Sequence, residues 1–405
     1  MSLSVRPILL ALLRNRTGAV LVAAQVAIAL AVLTNAAYII VQRIERIHRP
    51  TGIDEQNIFV IESAGFTGRF RQTASVREDL TYLRGLSGVI AATATNSIPL
   101  SEGGNNDTLV TRPDAPRTGY INDMEIDEHG LDALGAHLVA GRNFRADEIQ
   151  PALTKADISR FVPTIIVSRA LGEHLFPHES PLGRQVWDAS GHPATIVGVV
   201  DPIMGNFPGS EHPDWVYFLP RMPQEFIVVR YLVRTQPGER AALMRVVEAH
   251  LAASNPDRVI NFVRPLSYFK NLSYLDDSSM EMYLLTVTML VVAVTSLGIF
   301  ALATFNVSIR TKQIGTRRAL GARRRDIVHY FLIENGLITG AGVVSGCALA
   351  LAAGYWLSTH YALPRLELYY LVGGVLALCG LGQLAAWQPA RRAAAVPPAV
   401  ATRTV

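Results

Sequence analysis

Seven basic side chains fall within residues 310–325: Arg310, Lys312, Arg317, Arg318, Arg323, Arg324 and Arg325. Such groups hold carboxylates, phosphates or helix-end carbonyls, and arginine keeps its proton in a protein. The set offers binding chemistry and no general acid–base chemistry. Phosphate contacts to nucleic acid are one use of such a run. Here the positive excess is confined to stretches flanking apolar segments, which argues against a nucleic-acid partner.

Other chemistry-bearing patterns are incomplete. His174 and His178 have the i, i+4 spacing of a zinc helix, but Leu175 stands where the catalytic Glu belongs and Pro177 interrupts the turn. No metal site is expected there. Lysine occurs only at 155, 270 and 312, none in a Gly-x-x-x-x-Gly-Lys-[Ser/Thr] phosphate loop. No Gly-x-Ser-x-Gly elbow occurs. Asp123, Glu125, Asp127 and Glu128 read as a solvated charged face. Cys347 and Cys379 are the only cysteines, both in apolar stretches, so neither a disulfide framework nor a zinc site follows. No catalytic residue is expected.

The elements that position the basic run are apolar. The chain is 405 residues long and 50% hydrophobic. Stretches 17–42, 282–309, 335–364 and 368–390 lack Asp, Glu, Lys and Arg. Each exceeds the ~18 residues that can span a hydrocarbon core of about 30 Å. Pro364 ends the third span near 358. The expected organisation is an interfacial helix over 1–16, spans at 17–42, 282–309, 335–358 and 368–387, a loop with helix start at 310–334, an outer loop at 359–367 and a tail at 388–405. The fold class is thus an α-helical membrane protein with four transmembrane helices and a large α+β extracytoplasmic domain between helices 1 and 2.

Charge sets the orientation. The pieces 1–16, 310–325 and 388–405 carry 13 basic residues and no acid, with Asp326 directly after the loop, whereas 43–280 carries 23 basic and 29 acidic residues. Short loops rich in Lys and Arg stay in the cytoplasm, so both termini and the 310–325 loop are expected inside and 43–280 outside. Arg43, Arg46 and Arg49 lie on the outer side, where the rule weakens before a long translocated domain. Span one is too long for a signal-peptide core and reads as an anchor.

Within 43–280, two β-α-β-like units flank an insertion at 96–222. The first is a strand at 57–61, a helix at 74–86 and a strand at 89–93; the second is a strand at 226–233, a helix at 238–253 and a strand at 259–263. They are expected to build one mixed sheet with helices on a face.

Small residues repeat at four-residue spacing in two spans: Ala19, Ala23, Ala27 and Ala31 in the first, and the pairs Gly336/Gly340 and Gly342/Gly346 in the third. Small-xxx-small ridges let membrane helices approach closely. One ridge is expected to serve packing within the chain and another, involving span one, a subunit interface. Ionisable residues are expected only at membrane edges, Glu334 among them, which disfavours a proton-driven transporter.

The wording of the basic loop, Gln313-Ile314-Gly315-Thr316-Arg317-Arg318-Ala319-Leu320-Gly321-Ala322, resembles the E-I-G-x-R-R-A-L-G-A signature of MacB/FtsX-type ABC transporter permeases. Gln313 replaces the family's Glu. The tail Pro389-Ala390-Arg391-Arg392-Ala393-Ala394 resembles the family's P-A-R-R-A-A, and Leu134-Gly135, Gly141-Arg142, Pro181-Leu182-Gly183 and Ile196-Val197-Gly198 match in the middle segment. The resemblance implies a bacterial inner-membrane permease with its large domain in the periplasm or outside the cell. It binds no cofactor itself; ATP and Mg are used by a cytoplasmic ABC ATPase dimer. Implied partners are a second copy or a homologous permease, a periplasmic adaptor in some systems, and membrane lipid. It further implies that the loop couples ATP hydrolysis to movements of the outer domain, for efflux or export, lipoprotein release or control of a cell-wall hydrolase. In that reading Arg317 and Arg318 reach the ATPase, and Gly315, Ala319 and Ala322 allow its close approach. The competing reading is a membrane-anchored sensor or scaffold that binds an outer partner without ATP.

Overall fold

A computed structural model describes residues 16–67, 69–115, 119–151, 162–223, 228–361 and 366–397. The expected interfacial helix at 1–16 and the end of the tail fall outside the described residues. The chain divides into two compact units, one formed by the described residues up to His48 and from Asp277 onward, the other by Arg49–Asp276.

The first unit begins with α1 (Arg16–His48), an apolar helix longer than span one alone. The outer unit follows with β1 (Ile58–Gly65), α2 (Gln72–Gly85) and β2 (Val89–Thr95). Its insertion holds β3 (Asn105–Asp107), β4 (Ile121–Ile126), α3 (Gly130–Leu134), β5 (Leu138–Gly141), β6 (Thr164–Ser168), α4 (Arg169–Leu175), β7 (Gln185–Trp187), β8 (Pro193–Val200) and β9 (Val216–Pro220). The second β-α-β unit is β10 (Val228–Thr235), α5 (Arg240–Ser254) and β11 (Arg258–Pro265), and α6 (Leu266–Ser273) follows it.

The first sheet runs β11-β1-β10-β2, and every pairing in it is antiparallel. The expected mixed sheet is corrected here. Each β-α-β crossover skips a position, and a strand of the other unit fills the gap. The two units interleave as split β-α-β motifs. Parallel pairing occurs in the insertion, whose sheet runs β3-β4-β9-β6-β8-β5 with β7 on β8; β4 with β9 and β6 with β8 are parallel.

Strand alternation divides the burial. Phe59 and Ile61 face α2 and α5, packing with Val76, Leu80, Leu83, Val247 and Leu251. Ile58 and Val60 face the other way, joining Leu232, Met124, Ile126, Ile166 and Phe218 in a core shared with the insertion. Successive side chains of a strand point to opposite faces, so β1 is covered on both. Full burial of each such side chain contributes about 1.5–3 kcal/mol. A buried polar knot adds direction: Asp79 on α2 receives both arms of the Arg258 guanidinium, at 2.5 and 3.0 Å, and the Tyr231 hydroxyl at 2.6 Å.

The first unit resumes with α7 (Leu275–Ile309), α8 (Thr311–Ala319), α9 (Arg324–Tyr361) and α10 (Leu368–Ala394). Segments Thr17–His48, Leu275–Ile309, Arg324–His360 and Leu368–Ala394 are long and apolar enough to cross a membrane. Close backbone approach packs them. A Cβ added to Gly342 would lie 2.6 Å from the Ala23 carbonyl oxygen, and one on Gly346 would lie 3.0 Å from the Ala27 Cα. Polar side chains then bridge helices: Gln25 donates to the Val294 carbonyl at 2.8 Å, Asn35 to that of Ala350 at 3.2 Å and Asn335 to that of Gly382 at 2.9 Å. Arg43, on the outer side of α1, pairs with Asp277 at the start of α7.

Candidate functional site

The basic run is a helical elbow between two spans. α7 ends at Ile309 and α8 begins at Thr311, so Arg310 alone forms the bend, with φ −96° and ψ 10°. α8 closes with paired bonds from Gly321 N–H to the Arg318 carbonyl and from Ala322 N–H to the Arg317 carbonyl, both 3.1 Å. This is a Schellman stop, which needs a left-handed residue; Gly321 supplies φ +94°. α9 starts two residues later, where the Asp326 carboxylate accepts from the Arg323 N–H at 3.0 Å.

The 3.6-residue period divides α8 into two faces. Ile314 is buried with Ile327, Phe331, Ala390, Ala393 and Ala394, and Gly315 is buried beside it. Arg318 also turns inward, donating to the carbonyls of Ala394 at 2.9 Å and Val396 at 3.0 Å. Arg310 reaches Glu334 at 2.8 Å and the Tyr330 hydroxyl at 3.3 Å. The Arg317 guanidinium lies over the Tyr330 ring at 4.8 Å while remaining exposed. Lys312, Gln313, Thr316, Ala319 and Gly321 are exposed, and Leu320 is 84% exposed. Between α8 and α9 lies a shallow groove of about 20 Å³, lined by Arg310, Gln313, Arg317 and Tyr330 over Ile314, Ile327 and Phe331.

Several sequence expectations change accordingly. Arg318 satisfies helix-end carbonyls of its own chain. Gly315 packs inward because 311, 314, 315 and 318 share one helix face, and Ala322, past the Gly321 stop, is half-buried against the same cluster. In the spans, Ala23 and Ala27 meet Gly342 and Gly346 of the same chain. The two ridges thus pack on each other, and span one's ridge is not left for a second subunit. Ala19 packs beside them, half-buried, and Ala31 accepts the Asn35 amide at 2.9 Å. Gly336 lies near Gln383, and Gly340 has open space around it. Glu334 is ten residues inside α9, immediately before its uncharged stretch, and 2% exposed. The signal for it was present: a charge tolerated there needs a partner, and Arg310 is the nearest arginine upstream of α8.

Of the acidic run in the outer unit, Asp123, Glu125 and Asp127 are buried and Glu128 is half-buried. Asp127 pairs with Arg84 and Thr93, Glu125 with Arg221 at 3.5 Å, and Asp123 accepts from Asn96 at 3.2 Å. β4 runs inside its sheet, which is why these acids leave solvent. Burial pushes Asp123 up to about 7. Asp123, Asp107, Asp188, His192 and Arg221 line a cleft of about 520 Å³. His174 stacks on Trp215 at 3.9 Å, and no group of three or more His, Cys, Asp or Glu side chains able to hold a metal occurs among the described residues.

Comparisons with known proteins agree with this architecture. Residues 20–249 match the MacB-like periplasmic core domain, and 285–398 match the FtsX-like permease C-terminal domain. The chain is 29% identical over 292 residues to a macrolide export ATP-binding/permease protein MacB of Bartonella henselae, covering 68% of this chain and 41% of that protein. It is 26% identical over 261 residues to one from Yersinia pestis, covering 61% of this chain and 39% of that protein. The chain therefore spans about two-fifths of the length of these relatives. The periplasmic region of MacB from Actinobacillus actinomycetemcomitans aligns with 55% of this chain and 94% of its own, at 16% identity and a TM-score of 0.35. With both domain models matched in order around four apolar helices, the chain belongs to the family of ABC transporter permeases that join a MacB-like periplasmic core domain to an FtsX-like permease domain.

Proposed function

We propose that the chain is the non-hydrolytic permease part of an ABC system, in which α8 docks on a cytoplasmic ATPase and passes its movement to the outer unit. The observation that carries this reading is the two-faced α8. Its inner face is tied into the spans by Ile314, Arg318 and Arg310, while its outer face offers Lys312, Gln313, Thr316, Arg317 and Leu320. An arginine beside an exposed leucine suits a protein partner with an acidic, partly apolar cleft.

Hydrolysis of ATP with Mg is assigned to an ATPase component outside these 405 residues, which hold no phosphate-cradling loop. The basic bias supports placing both termini and α8 in the cytoplasm and the outer unit beyond the inner membrane. Two permease copies, identical or homologous, would pair through faces other than the Ala23–Ala27 ridge. The relatives' names supply macrolide export as one substrate class, and a periplasmic adaptor would fit an efflux role.

The test is a double variant, Arg317→Glu with Leu320→Asp, on the exposed face. The variant should reach the membrane in normal amount, lose co-purification with the P-loop ATPase expressed beside it, and lose stimulated hydrolysis. Wild-type recovery of the ATPase by the variant would overturn the docking assignment.

A further inference from the structure

The elbow holds one feature that docking does not use. Glu334 is an ionisable residue ten positions into α9, next to its uncharged stretch, with its side chain 3% exposed. Desolvation makes a charge so buried costly unless a partner compensates it. One carboxylate oxygen takes the Arg310 guanidinium at 2.8 Å. The other, Oε1, is buried and accepts no hydrogen bond from the described residues. Glu334 also lines a cavity with Asn306 on α7, Asn335 on α9 and Ala386 and Pro389 on α10. The polar chain thus meets the point where three spans converge.

We propose that Arg310 and Glu334 form a positioning pair that fixes the angle between α7 and α8, so that displacement of α8 carries α7 and α9 with it. This rests on the coupling role proposed for α8 and names the residues that would transmit it. Arg310 is the single residue between α7 and α8. Its N–H bonds to the Asn306 carbonyl at 3.2 Å, and its own carbonyl receives the Ile314 N–H at 2.9 Å, so backbone bonding continues through the bend. Its side chain reaches Tyr330 and Glu334, which lie one helical turn apart on a single face of α9. Swinging α8 away from α9 would strand Glu334 without a counter-charge in a low-dielectric setting, and breaking such a pair is strongly unfavourable. Arg318 ties the far end of α8 to the last carbonyls of α10. A helix held at both ends moves its neighbours instead of sliding over them.

The test uses the full chain with Cys347 and Cys379 replaced by Ala and spin labels on cysteines at Thr316 and Leu297. Both positions are exposed, one on α8 and one on α7. The unsubstituted pair should give one narrow inter-label distance. Glu334→Gln and Arg310→Gln should each replace it with a broad or split distribution, and the double variant should be no broader than either. Should single variants fail to fold, Arg310→Met with Glu334→Leu leaves no buried charge and keeps the volume; it should fold and still lose the narrow distance. A narrow distance in a folded Glu334→Gln or Met/Leu variant overturns the proposal. Recovery of the ATPase is scored separately. Glu334→Gln should keep the ATPase bound and lose stimulated hydrolysis, and retained stimulation overturns the positioning role while leaving docking intact. Broadened distances in a chain that never recovers an ATPase support the elbow and overturn the docking reading.

Discussion

Two buried ion pairs, one in each unit, are built differently. In the outer unit, Asp79 and Arg258 form a closed set: both carboxylate oxygens are taken, Tyr231 adds a third donor, Arg258 Nη2 donates also to Ser254, and Nε donates to the Leu251 carbonyl. In the spanning unit, Glu334 engages Arg310 through one oxygen, and its other oxygen is left over. A saturated network has one good arrangement, so it pins α2 to β10 and β11. The elbow instead hangs on a single ion-pair contact, so its angle depends on that one pair, whereas the outer domain spreads the task over five hydrogen bonds.

Removing the closed set should have the largest effect. Asp79→Ala leaves the Arg258 side chain, 1% exposed, without its counter-charge. The expected loss is about 3–5 kcal/mol, read as a lower unfolding temperature of the full chain in detergent. A variant that melts with the wild type would show that the outer unit is not pinned there and would break the contrast.

Packing by backbone contact comes next. Gly342→Leu drives a side chain into the Ala23 carbonyl and should cost about 1–3 kcal/mol or more. A Cβ added at Gly340 has nothing within 4 Å, so Gly340→Leu should fold normally. Equal loss of monodisperse protein in both variants would mean that the ridges do not pack as described.

Asp123 sharpens the contrast from within the outer unit, because it is a buried carboxylate held by an amide instead of an arginine ion pair. Its folded value near 7 lies above the unfolded value of about 3.9. The folded state therefore holds an extra proton between about pH 4 and 7, and stability falls as pH rises through that window. Asp123→Asn removes the cost of a buried charge. The variant should be more stable than the wild type at pH 8 by about 1 kcal/mol, the protein's effective dielectric discounting the full shift. The difference should close by pH 4. A gain that is the same at pH 4 and pH 8 would assign it to packing and remove the titration.

Much of this was legible because water and lipid impose strong patterns. Four uncharged stretches must be helices in hydrocarbon, where every backbone group needs an internal partner, and four such helices are present. The strands and helices of the outer core were readable to within a few residues, since β1 and α2 keep their apolar periods. Gly321 also ends α8 as its conformational freedom suggests. What could not be read was pairing. Interleaving of β1 and β10 is a long-range choice that local periodicity does not encode, and it turned an expected mixed sheet into an antiparallel one.

The basic run shows the same division at the level of single residues. Its composition by itself determined a short, positively charged, binding loop between two spans, because charge density and apolar length act locally. Only the tertiary structure decided that Arg318 caps α10, that Arg310 meets Glu334, that Arg317 stays exposed, and that the alanine and glycine ridges are spent on each other. An arginine's charge is written in the sequence. Its partner depends on which way a nine-residue helix faces, and that is set by Ile314 burying against two other helices.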